Sequence, residues 1–281
     1  MTPRDVFEAH YRSADVLLRV YRLLESEEGP RRDDQMMPKL RRLLKVSDQE
    51  ELILLVNQLF LGLVREQADM NLAFFRKDNL DLLLRQAVVA ASSALDVFLP
   101  ALLETYLPTV ISIRQRNFVP ADGDTRSFFA NFRLKLEDIW PLAEESRMEE
   151  RWAMIARKVL DYCRSETLSN ERGITATLSL LGVNGPWARI AEQAGERESA
   201  LRDRLKKAIT RRNDIVHRAD RQVANPTGDA TPIDYVWTHN HVGAIRTVAL
   251  ACFDLAQQKA AELKAVVTVS DTDHAEVSSY G

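Results

Sequence analysis

Apolar side chains recur along this chain at intervals of three and four residues, and that spacing predicts helices almost throughout. Val6, His10, Ala14, Leu17, Val20, Tyr21 and Leu24 outline a first amphipathic helix over 4–27, closed by Gly29-Pro30. A short helix near 37–45 follows, then one to about residue 75 that opens on Asp48, with Glu51 as its capping-box partner. Asp78 caps the next, over about 79–106; Pro100 is expected to kink it and Leu107-Pro108 to end it. Phe128, Phe129, Phe132 and Leu136 mark a further helical face, broken at Pro141. Helices over 146–164 and 167–181 come next, with Gly182 placed as a C-cap and Pro186 starting another turn.

The pattern then runs from Glu196 to about Arg221, crosses a loop at 222–236, and resumes over 239–265 with Thr238 or Asn240 as cap. Period-two strand patterns are hard to find, so the fold class read from the sequence is all-α. Three regions are expected: an N-terminal helical part over 1–70, for sensing or assembly; a helical domain over 71–266; and a disordered polar tail over 267–281.

One helix departs from the usual pattern. Leu201, Leu205, Ala208, Arg212, Ile215 and Ala219 fall at steps of four and three, the stripe a helix buries. Arg212 therefore stands where an apolar side chain is expected, and a guanidinium there needs a partner or a task. Asp96 interrupts an equally apolar face at Leu95-Asp96-Val97-Phe98 and is the expected partner. His217 follows Arg212 with four residues between them. Asn213 and His217 share a face, about 40° apart, whereas Arg212 and His217 are about 140° apart on an ideal helix. Convergence on one substrate then calls for a distorted helix end or a second copy of the chain, and a two-fold homodimer is the favoured solution.

Charge sharpens this. The whole chain carries only −3. Residues 201–221, however, hold eight arginines and lysines against three aspartates. A solvated helix face would explain a charge run alone. Together with Arg212 and His217 it suggests a phosphate-facing groove, with Arg211, Lys207 and Arg218 as its candidate binding residues.

Other chemistry is sparse. At 28% charged and 46% apolar residues the balance is that of a globular protein rather than a disordered one. Cys163 and Cys252 are read as free buried thiols of a reducing compartment, and no CxxC or Cys/His grouping suggests zinc. The charged start lacks a signal-peptide core, and Asp96, Pro100, Glu104 and Pro108 break the longest apolar region. A cytoplasmic protein without a membrane span is expected. His239-Asn240-His241 invites comparison with HNH nucleases, but no hairpin reads as the ββα unit that chemistry needs.

Arg212-Asn213 followed by His217 resembles the diagnostic element of the HEPN superfamily: Arg, a polar residue, then His after a short spacer. The helix Leu82–Asp96 is similar to the family's early core helix, which often carries an acid in this place, and Val183-Asn184-Gly185-Pro186-Trp187 leading into Arg211-Arg212-Asn213 is similar to the RiboL-PSP branch. The likeness covers roughly residues 70–265.

It implies a HEPN-like antiparallel bundle and a metal-independent endoribonuclease with no cofactor. Arg212, His217 and Asn213 would be the catalytic group and Asp96 its support. The partners implied are RNA, a second copy of the chain, and an inhibitory or sensor protein that restrains a toxin or defence effector. The rival reading is a helical RNA-binding or scaffold protein without catalysis.

Overall fold

A computed structural model describes residues 1–25, 77–114, 123–221 and 228–277. The helices expected near 37–45 and from Asp48 to about residue 75 lie outside the described residues, as do residues 115–122 and 222–227. Among the described residues there are helices and no strand, so the chain is all-α. The helices are α1 (Pro3–Glu25), α2 (Lys77–Arg114), α3 (Gly123–Phe128), α4 (Leu136–Glu144), α5 (Met148–Ser165), α6 (Glu171–Leu180), α7 (Pro186–Ala194), α8 (Glu198–Arg218) and α9 (Tyr235–Val277).

The centre is α2. Leu84, Ala87, Val88, Ala91, Leu95, Leu99, Leu102, Leu103 and Leu107 are all fully buried along it. Helices α1, α5, α6, α8 and α9 pack around these side chains. The first helix belongs to the same core: Phe7 meets Phe98 edge to face at 5.5 Å, and the Tyr11 hydroxyl donates to the Val242 carbonyl. The described part of the 1–70 region is thus built into the bundle.

Proline placement explains two differences from the expected boundaries. α2 runs unbroken through Pro100 and Pro108 to Arg114, and Pro141 lies within α4. Pro108 and Pro141 are both exposed, so the carbonyl each leaves without an N–H partner one turn back can turn to water. Burial of Leu107, Val110 and Ile111 holds α2 together across the gap. By length and composition α2 is apolar enough to cross a membrane, but more than half of that window is buried inside the bundle.

Elsewhere the aromatic face expected at 128–136 is not one helix. Phe128, Phe129 and Phe132 fold through α3 and a 3-10 turn so that their rings surround Tyr162, whose hydroxyl donates to the Phe128 carbonyl at 2.8 Å. The last helix begins at Tyr235 and continues to Val277, past the tail boundary at 267. Its cap is Asp234, which accepts from the Trp237 amide at 2.8 Å, in place of Thr238 or Asn240. Cys163 and Cys252 are free and buried, and burial pushes the Cys163 thiol up to about 12.

Two glycines set local geometry. Gly182, at φ +88°, closes α6: its amide donates to Ser179, and the Val183 amide reaches back to Leu178. Gly173 lets the chain enter α6 tightly, because a Cβ there would sit 2.5 Å from the Leu168 backbone. Gly173→Ala should therefore destabilise the fold by about 1–3 kcal/mol in urea unfolding, since the colliding atoms are backbone and have little room to shift. A variant as stable as the parent would contradict this close approach.

Candidate active site

Helix α8 buries Leu201, Leu205 and Ala208 in its first half. The stripe continues as Arg212 and Ile215, both only half-buried. Arg212 is therefore less enclosed than its register implied, because it reaches across to α2 at the surface of the core. There its Nη2 lies 3.2 Å from Oδ2 of Asp96, the partner expected from the sequence. Its Nη1 donates to Oδ1 of Asn213 at 3.1 Å. Two of the five guanidinium donors are accounted for, and the plane is fixed by contacts on either side.

His217 sits on the last turn of α8, exposed, with no side-chain hydrogen bond to a described residue. It shares a face with Asn213, as the helical spacing requires. No hydrogen bond or ion pair links it to Arg212, Asn213 or Asp96. A single chain gathers Arg212, Asn213 and Asp96 and leaves the imidazole apart. Val97 and Val216, the neighbours of Asp96 and His217, are exposed apolar side chains.

The three candidate RNA-binding cations fare differently. Arg211 is not a surface residue: only 15% of its side chain is exposed. Its Nε lies 2.6 Å from Oδ1 of Asp220, at ion-pair distance though outside hydrogen-bond alignment. Its Nη2 donates to Oδ2 of Asp220 at 2.8 Å and to the Thr231 carbonyl at 2.7 Å. The guanidinium also lies over the Trp237 ring. Arg211 is spent inside the molecule, because its position on α8 points it at the returning chain. Lys207 and Arg218 are exposed, and each pairs with an acid one turn back, Asp203 at 2.7 Å and Asp214 respectively. Such pairs are weak and can yield to a phosphate.

Asp220, counted in the sequence only among local acids, is the buried charge of this region, with 1% of its side chain exposed. Arg85 of α2 donates to it at 2.7 Å and to the Thr231 carbonyl at 2.9 Å. One carboxylate thus joins α2, the end of α8 and the chain at 231. To reach it the backbone adopts left-handed conformations at Ala219 (φ +49°) and Asp220 (φ +63°), which end α8. The amide of Thr231 donates to the Asp220 carbonyl at 2.8 Å, tying residue 231 to the end of α8. A signal for this was present: Arg85 interrupts the apolar stripe of α2 as Arg212 interrupts that of α8.

The His239-Asn240-His241 run lies inside α9. His241 is buried, stacks on Trp237 at 4.0 Å, and places Nδ1 2.6 Å from the Trp237 carbonyl; burial lowers its pKa. His239 is exposed beside Tyr235. Among the described residues, no three His, Cys, Asp or Glu side chains gather where a metal ion would be held. Comparison of the chain with models of protein families, with curated proteins and with solved structures finds no match.

Removing the carboxylate from between two buried arginines leaves both uncompensated. Asp220→Ala should cost about 3–5 kcal/mol in urea unfolding. Asp15→Ala, which breaks the exposed Asp15–Arg19 pair, should cost no more than about 1 kcal/mol. Equal effects from the two variants would contradict the structural weight given to Asp220.

Proposed function

We propose that this chain is a metal-independent endoribonuclease of the HEPN type, working as a homodimer. The observation that carries the reading is the Arg212 guanidinium, set in an apolar register, aimed by Asp96 and Asn213, on the helix whose last turn presents His217, which pairs with no described residue. The resemblance of Arg212-Asn213…His217 to the superfamily element supplies the reaction.

In that reaction the ribose 2′-oxygen attacks the adjacent phosphorus, and the bond from phosphorus to the 5′-oxygen breaks. The products are a 2′,3′-cyclic phosphate and a 5′-hydroxyl. One proton leaves the 2′-hydroxyl and one reaches the departing 5′-oxygen, transfers to which an imidazole near neutral pH is suited. Charge grows on the phosphoryl oxygens, and the Nη1 and Nη2 hydrogens of Arg212 that Asn213 and Asp96 leave unused suit it, the Nε–H being buried. Asp96 acts through Arg212 as a positioning residue. Lys207 and Arg218 bind the strand electrostatically, and Arg211 is withdrawn from that role.

The dimer follows from the separation of Arg212 and His217 on one helix. A second copy across a two-fold axis would bring two arginines and two histidines to one cleft. Exposed Val97 and Val216 flank the site and suit burial in such a seam. A free ribonuclease endangers its cell, so restraint by an inhibitory or sensor partner belongs to the proposal. So does a place in the cytoplasm as a toxin or defence effector.

One observation favours the rival reading of a non-catalytic RNA-binding or scaffold protein: within one chain the His217 side chain makes no hydrogen bond or ion pair with the other three residues. Incubation with RNA in EDTA separates the two. Cleavage should proceed, fall roughly 100- to 1,000-fold in Arg212→Ala, and fall roughly 100-fold or more in His217→Ala. Intact RNA, bound equally by all three proteins, would establish the scaffold instead.

A further inference from the structure

The exposed face of α8 carries a row of polar side chains: Lys206, Thr210, Asn213 and His217, at steps of four, three and four. All four are exposed. Such spacing lines them up along the helix, and at about 1.5 Å per residue the row extends about 16 Å. Its Lys206 end opens into a cleft of about 430 Å³ between α8 and the start of α6. That volume falls within the roughly 300–1,000 Å³ of small-ligand sites.

The cleft has an apolar side, Leu205 and Ile209, and a polar rim. Most rim groups are already engaged. The Thr175 hydroxyl accepts from Trp187 Nε1 at 3.0 Å and donates to the Glu171 carbonyl at 2.9 Å. Arg172 is held by Ser127, and the Glu171 carboxylate is neutralised by Arg202. The side chains of Lys206 and Thr210 pair with no described residue. The nearest acid on the helix, Asp203, is committed to Lys207. An apolar wall, one free ammonium and one free hydroxyl match the flat face, phosphate and polar edge of a nucleotide.

We infer that this cleft is a subsite for the RNA strand. It takes a nucleotide neighbouring the scissile one, with its base against Ile209 and its phosphate at Lys206. The inference rests on the ribonuclease reading for its orientation: Thr210 stands about 4.5 Å along the axis from Asn213, so a strand seated in the cleft runs on to His217. Sequence preference, if the enzyme has one, is set here.

Binding of a single-stranded oligoribonucleotide to His217→Ala protein, titrated across salt concentrations, tests the subsite without cleavage. Adding Lys206→Glu should weaken binding roughly 10-fold and flatten the salt dependence by about one unit of log–log slope. Thr210→Trp, which fills the cleft from its rim, should weaken binding as well. Lys207→Glu makes the same charge change a third of a turn away and should have the smaller effect. All three substituted positions are exposed, and thermal melting checks that the fold is kept.

If Lys206→Glu and Thr210→Trp bind like the parent, the subsite is overturned, even when the unsubstituted protein cleaves RNA. If they bind weakly while the unsubstituted protein never cleaves, the cleft stands as an RNA site and the ribonuclease reading falls.

Discussion

A single buried carboxylate, Asp220, decides where α8 stops. It draws Arg85 from α2 and Arg211 from α8 onto itself, and the carbonyl of Thr231 accepts from both arginines. The two cations share this one anion, and the backbone carbonyls of Thr231 and Pro232 add acceptors beside it. Left-handed backbone at Ala219 and Asp220 costs of order 1–2 kcal/mol per residue and persists because the charge network over-determines it. With α8 ended there and tied to the central helix, His217 on the last turn has a fixed address. The geometry of the candidate site is a consequence of this network.

Arg211 and Arg212 show how one helical step separates two tasks. They differ by about 100° around α8. One side chain turns towards the chain at Thr231–Pro232 and is consumed there. The other turns towards α2, meets a half-exposed Asp96 and keeps an Nη1 and an Nη2 hydrogen free. A basic helix is thus less basic to an approaching strand than its composition suggests. Charge that remains available includes Lys206, which pairs with no described residue, Lys207 and Arg218, loosely paired, and Arg221, which donates to the Gly228 carbonyl.

The helices of the described regions were legible because apolar spacing repeats cleanly in α1, α2, α8 and α9. The Arg212–Asp96 pair was legible too, since each residue breaks an apolar stripe and the two stripes face one core. Arg85 broke a stripe in the same way, but its partner gave no periodic signal: Asp220 lies past the helix end, where position depends on two left-handed residues that pattern does not encode. The prolines misled for a related reason. Whether Pro108 or Pro141 ends a helix depends on whether the carbonyl it abandons meets water, which only the packed structure shows. The cap of α9 was displaced because Asp234 precedes the apolar pattern by one residue and the loop before it hid the start.

The reading of function comes down to whether a ribose hydroxyl is the nucleophile. Mapping the cut in a defined RNA and then replacing the nucleotide on its 5′ side with the 2′-deoxy form tests this most directly, because only one oxygen changes. Loss of cleavage at that bond, with neighbouring cuts and RNA affinity retained, is the predicted result. Undiminished cleavage there would mean that water or another nucleophile attacks, and would contradict the account.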